Sequence, residues 1–281
     1  MSKAGHQRRH LPGAVEKRVL RRDGDHLTEA GDIVAAEIPV AFAVNGAPFA
    51  VMMATPADLD DFALGFALAE GIVERVDDLV VESVAESLEG ISIALGVPAG
   101  RVGVLEARHR NLEGRSGCGI CGMAQIEAVL RPPPPVGAGV GIRPAALERA
   151  LRELHDLQPL NALTGATHAA GWADADGSVA LVREDVGRHN ALDKLVGAMA
   201  RAGIDPRAGF AVATSRASYE MVMKAAQAGI TLLAAISAPT ALAIALAESS
   251  GLTLLGFARG HGYVAYAHPH RMHDAAREAV A

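Results

Sequence analysis

Cysteine is almost missing from this chain. Its 281 residues include two cysteines, both in a single C-x-x-C, which excludes the disulfide framework of a small secreted protein. Aromatic residues make up only 4%, so the core must be built from Ala, Val and Leu. No stretch reaches the roughly 18 consecutive apolar residues that a membrane span needs. No apolar segment follows the basic start, as a secretory signal would require. The expectation is a cytoplasmic protein with reduced thiols and no membrane contact. Excess positive charge is missing too: the net charge of −6 argues against general nucleic-acid binding. That figure conceals an asymmetry. Residues 1–22 carry seven Lys/Arg against Glu16, a local +6 that leaves −12 for the remainder. A disordered basic tail is expected over residues 1–24.

What is present suggests two domains. Ile38–Val44 and Pro48–Ala54 read as strands joined by Asn45-Gly46, a hairpin signal because both residues tolerate φ > 0. Thr55 is the expected N-cap of a helix over Ala57–Glu70, closed by Gly71. Val76–Ser83, Gly90–Leu95 and Arg101–Ala107 complete a small α+β domain over residues 25–108. The C-x-x-C lies in a loop, with a short helix expected over Met123–Leu130 and a stiff linker over Pro132–Pro135, the whole spanning residues 109–135. From residue 136 to 281 the rhythm is regular. Helix Ala145–Leu157 precedes strands His168–Ala173 and Ser178–Arg183. Helices Ala191–Ala202, Tyr219–Ala228 and Pro239–Ser249 then alternate with strands Gly209–Ala213, Ile230–Ile236 and Thr253–Phe257, and Tyr263–Ala267 adds a last strand. This alternation predicts an α/β domain whose largely parallel sheet is covered by helices.

Ligands of open α/β sheets bind beyond the carboxyl ends of the strands. Four such ends here are polar: Glu184–Asn190, Thr214–Ser218, Ser237–Thr240 and Ala258–Gly262. Arg188, Arg216 and Arg259 stand in three of them, and hydroxyls such as Ser215 and Ser237 sit where helices begin. Arginines and helix N-termini together make an anion site, which points to a large phosphorylated guest. Glu184, Asp185 and His189 read either as an acid/base group or as a network that holds their loop. Lys194 and Lys224 fall on helices and are expected in solvent, whereas Trp172, Met221 and Met223 are expected in the core.

Arg115-Ser116-Gly117-Cys118-Gly119-Ile120-Cys121-Gly122 is the most reactive segment. Glycines leave the sulfurs uncovered, and an adjacent arginine favours thiolate. Four readings remain open on the residues alone: a zinc site pooled across a dimer, a thioredoxin-like redox pair, a structural turn, and a sulfur relay through a persulfide.

Several long motifs together separate these readings. The Arg115–Gly122 segment is followed by Glu184-Asp185-Val186-Gly187-Arg188-His189-Asn190-Ala191-Leu192-Asp193-Lys194, by Ser215-Arg216-Ala217-Ser218-Tyr219-Glu220-Met221 and by Gly256-Phe257-Ala258-Arg259. In this order, from about Ile38 to Met272, the chain resembles the FdhD family of sulfur carriers required for formate dehydrogenase activity. The resemblance implies a sulfurtransferase that takes sulfur from a cysteine desulfurase and passes it to the bis(molybdopterin guanine dinucleotide) cofactor of molybdenum or tungsten, which then goes to formate dehydrogenase. It implies a persulfide on Cys118 with Cys121 as exchange partner, and cofactor binding by Phe257, Ala258, Arg259, Gly260, His261 and Gly262. The rim residues Arg188, Ser215, Arg216 and Ser237 join that expected set. The resemblance further implies a homodimer and a C-terminal three-layer domain similar to cytidine deaminases, without the H-x-E of a deaminase beside the cysteines and without a structural metal. The alternative is a cofactor-binding chaperone for formate dehydrogenase that performs no sulfur chemistry.

Overall fold

The computed structural model describes residues 11–101 and 133–273. Arg115, Cys118, Cys121, the helix expected over Met123–Leu130 and nearly all of the strand expected over Arg101–Ala107 lie outside the described residues. Arg101 itself closes a short 3-10 turn, Ala99–Arg101.

The chain opens on an antiparallel ribbon, β1 (Ala14–Asp23) and β2 (His26–Ala35), registered so that Asp23 faces His26. This overturns the expectation of a disordered tail through residue 24. The Gly24-Asp25 turn, with Gly24 at φ 57°, folds the charged segment back on itself. Composition alone conceals such an element, because both strands are mostly exposed and show no buried face.

A four-stranded sheet follows, in the order β4-β3-β6-β5. Its strands are β3 (Ile38–Val44), β4 (Ala47–Ala54), β5 (Val80–Glu86) and β6 (Ile91–Gly96). Asn45 and Gly46 both take positive φ at the β3–β4 turn, as their sequence requires. Alternate residues Val40, Phe42, Val44, Ile91, Ile93 and Leu95 face the single helix α1 (Leu59–Ala69). The first part of the strand expected from Val76 is instead a 3-10 turn over Val76–Asp78. Asp58, at φ 54°, occupies the N-cap of α1, the role expected of Thr55. Thr55 is fully buried and spends its polar groups elsewhere.

The second domain is built on a six-stranded sheet ordered β12-β11-β10-β9-β7-β8. These are β7 (His168–Asp174), β8 (Val179–Asp185), β9 (Gly209–Ala213), β10 (Leu232–Ala235), β11 (Thr253–Arg259) and β12 (Gly262–Ala267). Its strands alternate between two cores. Phe210, Val212, Leu232 and Ala234 face helix α2 (Pro144–Asp156), through Leu147 and Leu154. Ala211, Ala213, Leu233 and Ala235 face α4 (Arg188–Arg201), α5 (Tyr219–Gln227) and α6 (Ala241–Ser250). The result is a three-layer α/β/α unit. The short helix α3 (Pro159–Thr164), not anticipated from sequence, links α2 to β7.

The sheet is mixed rather than largely parallel. Only β9, β10 and β11 pair in parallel, while β7 runs against both β8 and β9, and β12 against β11. The reason is the β7–β8 hairpin: its Asp174–Gly177 turn is too short for the crossover that parallel strands need.

The two domains meet along α1 and α4. Gly65 and Gly197 lie where the helices cross, and a Cβ on either would overlap the backbone carbonyl of Asp193 or Asp61 on the opposite helix. Trp172, Met221 and Met223 are buried in the core, as expected.

Candidate functional site

The direction of the strands decides where the polar loops lie. Because β7 is antiparallel to both β8 and β9, β8 runs the same way as β9, β10 and β11. The ends of all four therefore share one edge of the sheet, and the starts of β7 and β12 join them. The rim inferred from sequence exists as one edge.

At β11 the rim is strained. Phe257 takes φ 50° and is partly exposed, a conformation that costs a bulky residue of order 1–3 kcal/mol. The ladder to β12 is irregular between Gly256 and Arg259, and the Phe257 N–H donates instead to the Ser237 carbonyl (3.1 Å). Gly256 permits this course, since a Cβ there would press on Pro239 and Tyr266. The Arg259 guanidinium lies 5.9 Å from the Phe257 ring centroid. Arg259, Gly260 and His261 are exposed, with Gly260 at φ 57°; Gly262, also exposed, begins β12. Ala258 is fully buried in the α2 core, so only its backbone can serve a ligand.

Beside this bulge is an open cavity of about 580 Å³. Arg259, Gly260 and His261 line it from the rim, Thr214 and Ile236 from below, and Glu148, Arg152, His155 and Gln158 from α2 and its end. His261 Nδ1 lies 2.9 Å from Glu148 Oε2. The α2 contribution was overlooked in the sequence. Its signal is the polar series Glu148, Arg152 and His155, at i, i+4 and i+7, next to the apolar stripe of Leu147, Ala150 and Leu154.

Across the sheet, Arg188 opens α4 at the same edge. Its Nε is buried without a hydrogen-bond partner among the described residues, a state it shares there only with Thr231 Oγ1, whereas buried polar atoms are as a rule paired. Burial, reinforced by the Arg188 cation, holds His168 below the ordinary imidazole value, so it is neutral at pH 7. Arg216 is exposed and Ser237 half-buried. Ser215 is buried, and its hydroxyl donates to the Arg216 carbonyl (3.0 Å).

Glu184, Asp185 and His189 do not form one acid/base group. Glu184 accepts from the Leu160 and Asn161 N–H groups at the start of α3 and from Thr167 Oγ1. His189 Nε2 faces Glu220 (2.9 Å) and Ser218 (3.2 Å). Asp185 is fully buried and turns toward the first domain. It accepts from the Thr55 N–H, the Gly187 N–H and Asn190 Nδ2, and pairs with Lys194 Nζ at 2.7 Å. The network reading is the correct one.

Lys194 and Lys224 correct the expectation of solvated lysines, since both are buried. Lys194 also donates to the Thr55 carbonyl, and Asn190 to that of Met53. Lys224 joins Asp193 and Glu70, each within 2.8 Å. Burial pushes Asp193 up to about 6, with the Glu70 carboxylate adding to the rise against the pull of Lys224. Burial works against the Lys224 charge, but its two carboxylates prevail and hold it above its ordinary value. A third link joins Asp61 of α1 to Arg183 and Arg201. The long motif from Glu184 to Lys194 thus has two tasks. Arg188 faces the rim, and Asp185, Asn190, Asp193 and Lys194 fasten the rim's domain to the other one.

No helix among the described residues is long and apolar enough to cross a membrane. Known proteins resemble this chain in sequence and in fold. A chain from Xanthomonas campestris pv. campestris (strain B100), named sulfur carrier protein FdhD, is 63% identical over 261 residues, 93% of each chain. A protein of the same name from Cupriavidus necator is 51% identical over 245 residues, 87% of this chain and 85% of that one. The fold matches the crystal structure of a chain from Desulfotalea psychrophila, described as a formate dehydrogenase accessory protein, with a TM-score of 0.72 and 24% identity over 93% of this chain and all of that one. Residues 35–273 match the model of the FdhD/NarQ family, and the chain belongs to that family.

Proposed function

We propose that this protein is a sulfur carrier that accepts persulfide sulfur from a cysteine desulfurase on Cys118 and delivers it to the bis(molybdopterin guanine dinucleotide) cofactor destined for formate dehydrogenase. The observation that carries the reading is the joint presence, in a chain 63% identical to a protein named sulfur carrier FdhD, of a glycine-flanked C-x-x-C and an arginine-bearing rim. The cargo is a large anion with several phosphates. The rim suits it: an orphaned guanidinium N–H at Arg188, exposed Arg216 and Arg259, and a cavity large enough for part of such a molecule. The strained Phe257 loop marks that cavity as a place where packing was not optimised for stability alone.

The chemistry balances on the two cysteines. The Cys118 thiolate attacks the terminal sulfur of the desulfurase persulfide. A new S–S bond forms on Cys118, and the desulfurase thiolate leaves. For release, the Cys121 thiol attacks the inner Cys118 sulfur and hydrosulfide departs, leaving a Cys118–Cys121 disulfide. The two electrons needed come from the dithiol pair, and a cytoplasmic thiol reductant restores it. The carrier works in the cytoplasm as a homodimer.

The test is reconstitution of formate dehydrogenase in an extract that lacks the carrier. Wild type should restore activity, and Cys118→Ala/Cys121→Ala and Arg259→Ala should both fail. Full activity with the double cysteine variant and none with Arg259→Ala would favour a carrier of the cofactor that performs no sulfur chemistry.

A further inference from the structure

The family resemblance implies a homodimer without saying which surfaces meet. Two sheet edges of this chain bear on that question. The first is β1. Among the described residues the ribbon β1–β2 has no third strand, and an isolated two-stranded ribbon is marginal in water. At its base β2 packs on α3, which leaves β1 as the outer strand. Along β1 stand Lys17, Arg18, Arg21 and Arg22, and Leu20 between them is 66% exposed.

The second edge is β5, the terminal strand of the four-stranded sheet. Every residue of β5 is exposed, including Val80 and Val84. Glu82 and Glu86 punctuate it, and Glu89 follows. Open edges that carry apolar side chains invite pairing with another chain. The remaining edges answer β1 poorly. β4 has no charged residue, and its Met53 carbonyl already accepts from Asn190. β12 is also uncharged. β8 carries Arg183, which is held by Asp61.

We infer that β1 of one protomer adds antiparallel to β5 of a second copy, and that the exchange is reciprocal. Setting Leu20 opposite Val84 brings Arg18 opposite Glu86 and Arg22 beside Glu82. Apolar contact then lies at the centre, with a pair of opposite charges on each side. Each four-stranded sheet becomes six-stranded, and the two contacts close as a two-fold dimer. Among the described residues neither strand has a partner for this edge. The inference does not depend on sulfur transfer, so the failure of either leaves the other intact.

The test is light scattering on the full-length protein across a concentration series, with circular dichroism as the check on folding. Wild type should be a dimer. Arg18→Glu/Arg22→Glu and Glu82→Arg/Glu86→Arg should each weaken it by roughly tenfold or more, because like charges then face each other along the edge. The variant carrying all four changes should regain most of the lost affinity. Leu20→Asp, which leaves every β1 cation in place, should also dissociate the dimer. A monomeric wild type, an assembly other than a dimer, a dimer indifferent to these changes, or a fourfold variant no better than the two pairs would overturn the inference.

Discussion

Replacing Lys224 by Met removes the ammonium that Asp193 and Glu70 share, and leaves two buried carboxylates facing each other across the α1–α4 contact. Taking one partner from a buried ion pair costs about 3–5 kcal/mol, and the second carboxylate places this site toward the upper end. The pH dependence makes the test sharper. In the wild type Asp193 is raised from 3.8 to about 6, so its folded form holds a proton more tightly than its unfolded form. Its contribution to stability is complete below 3.8 and is lost as pH rises through about 6. A rise of that size corresponds to about 3 kcal/mol. Lys224, raised above 10.5, contributes fully below that value and loses its effect only as pH climbs beyond it. At neutral pH the Lys224→Met protein must either keep buried carboxylate charge without its cation or take up a proton there, and acidification makes that uptake easier. Urea unfolding at pH 7.5 and pH 5 should therefore show a large deficit that shrinks on acidification. A loss below about 1 kcal/mol at pH 7.5, or one that grows toward pH 5, would refute the electrostatic reasoning.

Three further outcomes follow from the geometry. Gly65→Ala pushes a methyl group into the Asp193 carbonyl and should destabilise by about 1–3 kcal/mol or more, read as a lower urea midpoint, with Gly197→Ala behaving alike from the other helix. Phe257→Asn places a residue that tolerates positive φ at the strained bulge; the protein should gain up to about 1 kcal/mol yet bind guanine nucleotides less tightly in calorimetry. Arg259→Ala, on an exposed side chain, should leave the urea midpoint unchanged while guanine-nucleotide affinity falls.

The sequence carried the second domain well because its signals are local. Hydrophobic runs, helix starts and the Asn45-Gly46 turn are written within a few residues of where they act. Strand direction is not, so β7 and β12, which run against their neighbours, were placed in a largely parallel sheet although their lengths were legible. The ribbon β1–β2 escaped because it buries no face. The lysines show the limit most clearly. Lys194 and Lys224 look like solvated helix residues because part of what covers and binds them, the Thr55 carbonyl and the Glu70 carboxylate, lies more than 130 residues away in the chain. The rim was legible as four polar strand ends, but its α2 wall was not, since Arg152 and His155 read as an ordinary wet helix face until the sheet edge is set against them.

Sulfur loading is the most direct test. The purified, reduced protein is incubated with a cysteine desulfurase and cysteine, and its intact mass is read without reductant. The proposal requires a gain of one sulfur atom on the wild type, reversed by dithiothreitol and absent from Cys118→Ala. No added mass on the wild type, or equal loading of the Cys118→Ala/Cys121→Ala protein, would contradict it.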